Sequence, residues 1–122
     1  MNSIASKWKE NTPYVAFDLD GTLAEYHGWS DEIGSPIKPM VDLLMQYVNR
    51  GVRVKIFTAR ANQSEQINII KQWLSNNNLP DLEITCTKDY LMDHFYDDRA
   101  IRVEYNTGRI LGVNGGFQNV HK

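Results

Sequence analysis

The chain has a single cysteine, Cys86, so neither an intramolecular disulfide nor a multi-cysteine metal site can form within it. No apolar run comes near the roughly 20 residues that span a bilayer. The opening stretch MNSIASKWKENTP lacks the apolar core of a secretory signal, so a cytoplasmic protein with no membrane association is expected. Charge of one sign is missing too. Against 13 basic side chains stand 15 acidic ones, and a net charge of −2 does not suit a general binder of nucleic-acid backbones, although a local basic patch stays open. Repeats and low-complexity tracts are absent, and nothing in the pattern points to an obligate protein partner.

What is present is the composition of a soluble globular domain. Apolar residues make up 42% and charged residues 23%, values that exclude intrinsic disorder, collagen and coiled coil. A length of 122 residues suits one domain, 1–122, with a core over about 14–113 and a loose tail over about 114–122.

Residues 14–19, YVAFDL, read as a buried strand ending in an acidic turn. From Thr22 to Ser35 the periodicity breaks up around Gly28, Gly34, Tyr26, His27 and Trp29, which marks an excursion from the core. Pro39 suits a first helical turn; Met40, Leu43, Leu44, Tyr47 and Val48 recur at helical spacing, and Gly51 supplies the stop. A strand follows over 52–57. Asn62 with Glu65 predicts a capping box for a second helix striped by Ile67, Ile70 and Leu74 and ended by Asn76 to Asn78. Residues 83–87 predict a third strand, His94 to Tyr96 a fourth, and Asn106-Thr107-Gly108 the turn of a hairpin that returns over Arg109 to Val113. Strands alternating with helices imply an α/β fold: a Rossmann-like, mostly parallel open sheet flanked by helices, with a C-terminal hairpin.

The strongest chemical signal is Asp18-Leu19-Asp20-Gly21-Thr22 at the end of the first strand. Residues two apart on a strand project to the same side, so both carboxylates can face one site, and Gly21 allows a sharp turn behind them. Carboxylates placed together repel unless a cation or a shared proton intervenes. A hard divalent ion such as Mg²⁺ fits that need. Three later strand ends carry polar groups of their own: Thr58, Lys88, and the pair Asp97-Asp98. Ligands of open parallel sheets bind at the carboxyl ends of strands, so an acid pair, a hydroxyl, an ammonium and a second acid pair converge on one edge. Each has a plainer reading: Thr58 as a helix cap, Lys88 as a surface lysine, Asp97-Asp98 as a solvated turn. Their order and common placement favour a site.

In this arrangement the chain resembles the phosphatases of the haloacid-dehalogenase superfamily. DLDGT is similar to the first motif of that family, Thr58 to its second, Lys88 to its third and Asp97-Asp98 to its fourth. The segment FYDDRA also resembles the acidic motif of polynucleotide 3′-phosphatase domains and of small phage and bacterial members. Neither the gap from Asp20 to Thr58 nor that from Thr58 to Lys88 has room for an inserted cap.

The resemblance implies a Mg²⁺-dependent phosphomonoester hydrolase in which Asp18 attacks phosphorus and Asp20 serves as acid and then base. It implies Mg²⁺ held by a carboxylate oxygen of Asp18, the backbone carbonyl of Asp20 and a carboxylate of Asp98, with Asp97 ordering water or Lys88, or exchanging roles with Asp98. Thr58 and the backbone N–H of Ala59 would hold a phosphoryl oxygen, and Lys88 would offset its charge. Arg60 and Arg99 are candidates for further phosphate or substrate contacts, or are surface pairs. The substrate would be a nucleotide, a nucleic-acid end or another exposed phosphate. Tyr26, His27 and Trp29 form either a flap over that substrate or a satellite cluster; Trp73 and Cys86 read as packing residues. A receiver domain is disfavoured because Asp-x-Asp closes the first strand rather than an internal one. A phosphotransferase, or a binding module that keeps the fold without catalysis, stays open.

Overall fold

A computed structural model describes residues 8–112. The expected tail and the far end of the hairpin at Val113 lie outside the described residues. The elements run β1 (Tyr14–Phe17), α1 (Lys38–Asn49), β2 (Val54–Phe57), a 3₁₀ turn (Ala59–Asn62), α2 (Ser64–Asn76), β3 (Glu83–Thr85), β4 (Met92–Tyr96), β5 (Arg102–Val103) and β6 (Ile110–Leu111). Four strands form one parallel sheet in the order β3-β2-β1-β4, and β5 with β6 forms a separate antiparallel hairpin. The expected α/β architecture is the one observed. From β1 the chain steps twice to one side and then returns to the other side of β1, so strand order reverses between β1 and β4.

Side chains alternate across a strand, so Val15 and Phe17 share one face of β1 while Tyr14 and Ala16 share the other. Both helices cover the first face. There Val15, Phe17, Leu19, Leu44, Val54, Ile56, Ile70, Trp73 and Leu74 make one continuous core. Each fully buried aliphatic side chain contributes roughly 1.5–3 kcal/mol, so this face dominates stability. The short link 86–91 approaches the opposite face. The link lies against β1: Tyr14 Oη donates to Asp89 at 3.0 Å, and the Tyr14 N–H donates to the Leu91 carbonyl. Burial, then the adjoining Asp89 carboxylate, push the Tyr14 phenol up to about 12, so it stays a neutral donor. Just before β2, buried Arg53 spans Glu83 with two contacts of 2.8 Å and donates to the Thr12 carbonyl at 2.6 Å, which ties the N-terminal approach to the sheet edge.

Local expectations meet three corrections. Cys86 is exposed rather than buried, because β3 ends at Thr85 and the chain has already left the sheet. The capping box does not form. Asn62 ends the 3₁₀ turn, and α2 begins after Gln63 with no side-chain cap. Its buried stripe is Gln66, Ile70, Trp73 and Leu74, with Ile67 only half-buried. Pro39 and Gly51 do delimit α1, Gly51 with a φ of 80°.

The excursion after β1 is closed at its base. Glu25 N–H donates to Ser35 O at 2.8 Å, Ile37 N–H to Leu23 O at 2.8 Å, and Trp73 Nε1 to Gly34 O at 2.8 Å. Leu23, Ala24 and Ile33 are buried beneath it while Tyr26 to Glu32 stay outside. The two arms approach so closely that a Cβ on Gly34 would lie 2.2 Å from the Glu25 carbonyl oxygen. Gly34→Ala is therefore expected to force the arms apart and cost about 1–3 kcal/mol, read as a lower urea midpoint; an unchanged midpoint would contradict this closure.

Candidate active site

The reversal of strand order brings the carboxyl ends of β1 and β4 side by side, because Phe17 pairs with Tyr96 and the Asp18 N–H donates to the Tyr96 carbonyl at 2.9 Å. Asp18 follows β1 directly and Asp97 and Asp98 follow β4. One carboxylate oxygen from each lies within 4.8 Å of the others. Thr22 Oγ1 lies 3.3 Å from Asp18 Oδ2 and 3.2 Å from Asp98 Oδ1, so its proton can serve either. Gly21, at a φ of 89°, makes the turn that folds Thr22 back over the acids. Burial first, then the charge and hydrogen bond of Asp97, raise the Asp18 carboxyl to about 7. Asp97 is itself positioned by the backbone N–H groups of Arg99 and Ala100, which donate to its Oδ2 at 3.3 and 2.8 Å.

Asp20 points elsewhere. Its two oxygens accept from Arg60 Nε at 2.8 Å and Arg60 Nη2 at 3.1 Å. Arg60 is buried, and Nη1 donates to Gln66 Oε1 at 2.9 Å; Gln66 in turn donates to Asp31 Oδ1 at 2.7 Å. The guanidinium carbon lies 4.5 Å from the Trp29 ring centroid. One chain of contacts thus runs from the DxD turn through α2 to the excursion. Thr58 caps the 3₁₀ turn, its Oγ1 accepting from the Arg60 N–H at 3.2 Å, so its plainer reading as a cap holds.

These groups line a cleft of about 560 Å³ bounded by Asp18, Asp20, Thr58, Arg60, Asp97 and Arg99, with Ala59, Asn62, Gln63 and Gln66 along one wall. Tyr26 and Trp29 line it from the excursion; His27 is exposed beside Glu25 and is not on the cleft wall.

The structure therefore gathers Asp18, Asp20, Thr58, Ala59, Arg60, Asp97 and Arg99 at the cleft, and adds Asp98 through the acidic cluster. The carboxylate cluster contains Asp97 beside Asp98 and omits the carboxylate of Asp20. Lys88 is not brought in. It sits exposed on the link 86–91, off the cleft wall and without an ion-pair partner among the described residues. Arg60 is no surface pair but a buried clamp. Gln66 was not anticipated; its only sequence signal was a polar residue on the apolar stripe of α2.

Comparison with known proteins yields a fold relative only. No family model and no curated protein matches the chain. A solved structure described as a conserved protein coded by a locus from Bacteroides thetaiotaomicron is similar at 21% identity and a TM-score of 0.57, over 73% of this chain and 78% of that one. At that identity the likeness shows the fold. Among the described residues no helix is long and apolar enough to cross a membrane.

Two measurements test the site's electrostatics. Asp18 is harder to ionise folded than unfolded, so its contribution to stability falls as pH rises from about 4 to about 7. Asp18→Asn should remove that penalty and stabilise the cation-free protein at pH 8 by about 2 kcal/mol at most, after allowance for partial exposure. The gain should vanish at pH 4. Arg60→Ala leaves Asp20 and Gln66 without their shared partner and should lower stability by about 3 kcal/mol, seen as a reduced denaturant midpoint.

Proposed function

We propose that the protein is a divalent-cation-dependent phosphomonoester hydrolase, a small capless member of the haloacid-dehalogenase superfamily. One observation carries this reading: Asp18, Asp97 and Asp98 converge within 4.8 Å beside a cleft lined by Arg60 and Arg99. Three carboxylates so close, one of them lifted to about 7 by burial and by its neighbour, form an all-oxygen donor set that Mg²⁺ fits. Asp18, Asp97 and Asp98 would hold the ion, which when bound offsets the charge of the phosphate and of the carboxylate approaching it.

The remaining work belongs to side chains of the chain itself. An Asp18 oxygen attacks phosphorus, the bond from phosphorus to the substrate alcohol breaks, and the phosphoryl group passes to Asp18. Asp20, two residues on, is the group the resemblance assigns to give a proton to the departing alcohol, a step for which it must carry that proton in place of one of its two hydrogen bonds from Arg60. It then takes one from the water that attacks the aspartyl-phosphate, releasing inorganic phosphate and restoring Asp18. Arg60 holds Asp20 in one orientation through two hydrogen bonds, which is positioning. The Ala59 N–H is the backbone group beyond Thr58 for a phosphoryl oxygen, since those of Arg60 and Ala61 donate to Thr58, and Arg99 brings a cationic side chain to the same cleft. The superfamily resemblance assigns phosphate neutralisation to Lys88; its exposed place on the link, and the pairing of Arg60 with Asp20, leave Arg99 as the cation on which this reading relies.

The test is hydrolysis of p-nitrophenyl phosphate with and without Mg²⁺. Activity is expected only with the cation, to be lost on chelation, and to fall at least about a thousandfold in Asp18→Asn. Undiminished turnover by Asp18→Asn would reject the assigned nucleophile, and inactivity toward every phosphomonoester tried would leave a binding module instead.

A further inference from the structure

We infer that the substrate is a phosphorylated nucleoside with an unpaired base, and that Trp29 is the surface on which the base stacks; this rests on the phosphohydrolase reading above. Trp29 is 64% exposed, although the flap that carries it is already anchored by buried Leu23, Ala24 and Ile33. The indole is thus not needed to hold the flap down. One of its faces meets Arg60, which lies 4.5 Å from the ring centroid and is itself buried and bound to Asp20 and Gln66. An aromatic plane backed by a guanidinium and open to water at a cleft suits base stacking, which tolerates any base because each has a π-face.

The rest of the cleft agrees in size and chemistry. Its volume of about 560 Å³ is that of a small-molecule site. On the adjoining wall Asn62 and Gln63 carry side-chain amides that have no hydrogen-bond partner among the described residues. Each offers a donor and an acceptor to a base edge. The net charge of −2 argues against a long backbone contact and for recognition of one nucleotide, free or at an unpaired end.

The experiment compares Mg²⁺-dependent hydrolysis of adenosine 5′-monophosphate, a 5′-phosphorylated single-stranded oligonucleotide and β-glycerophosphate. At least one nucleotide substrate should exceed β-glycerophosphate tenfold or more in kcat/KM, and the better of the two identifies the source. In Trp29→Ala that preference should shrink at least tenfold, chiefly through KM, with Trp29→Phe restoring most of it. Should Trp29→Ala fold poorly, adenosine 5′-monophosphate added to the Asp18→Asn protein should quench tryptophan fluorescence, and Trp29→Phe should remove the quench. Equal turnover of all three substrates, an equal loss on all three in Trp29→Ala, or a quench that persists in Trp29→Phe overturns the inference while leaving the hydrolase reading intact. Absence of hydrolysis of any phosphomonoester overturns both.

Discussion

Three carboxylates held within 4.8 Å of one another repel, and the ends of β1 and β4 are arranged so that they cannot move apart. The sheet imposes that crowding: parallel pairing sets Phe17 against Tyr96, and the residues that follow both strands must then share one space. Burial, and then the charge of Asp97, lift the Asp18 carboxyl to about 7. A fold that keeps such a group keeps a place where positive charge is favoured, and the proposed chemistry draws on that same deficit.

Around this cluster the positive groups divide the work. Arg60 is buried and fully engaged, clamping Asp20 below, Gln66 to the side and Trp29 above. It couples the DxD turn to the excursion that carries Trp29. Arg99 lines the cleft from the exposed loop after β4, in line with contact to an entering anion rather than with scaffolding.

The two faces of the sheet are unequal in the same functional sense. Both helices pack against Val15, Phe17, Val54 and Ile56, which makes that side the rigid base of the site. The other side carries the link 86–91, held by Asp89 to Tyr14. Lys88 belongs to that link. Much of the fold was legible in the sequence, because apolar period, Pro39, Gly51 and the Asn106-Thr107-Gly108 turn are local signals that the backbone obeys locally. The 3₁₀ turn before α2 was not, since Thr58 and Asn62 both carry capping signals and packing chose Thr58. Nor was the exposure of Cys86, which followed from where β3 ends.

By itself the sequence determined that Asp18 and Asp20 stand at the end of the first strand, that Gly21 turns the chain behind them, and that Thr58 and Asp97-Asp98 close later strands. Those are matters of spacing and of what one residue allows its own backbone. Tertiary structure alone decided that Asp97 joins Asp18 and Asp98, that Asp20 turns to Arg60, that Gln66 completes the clamp, and that Lys88 stays outside. These pairings depend on which strand lies beside which and on which side chain fills the space between elements, and distances through space leave no period in a chain.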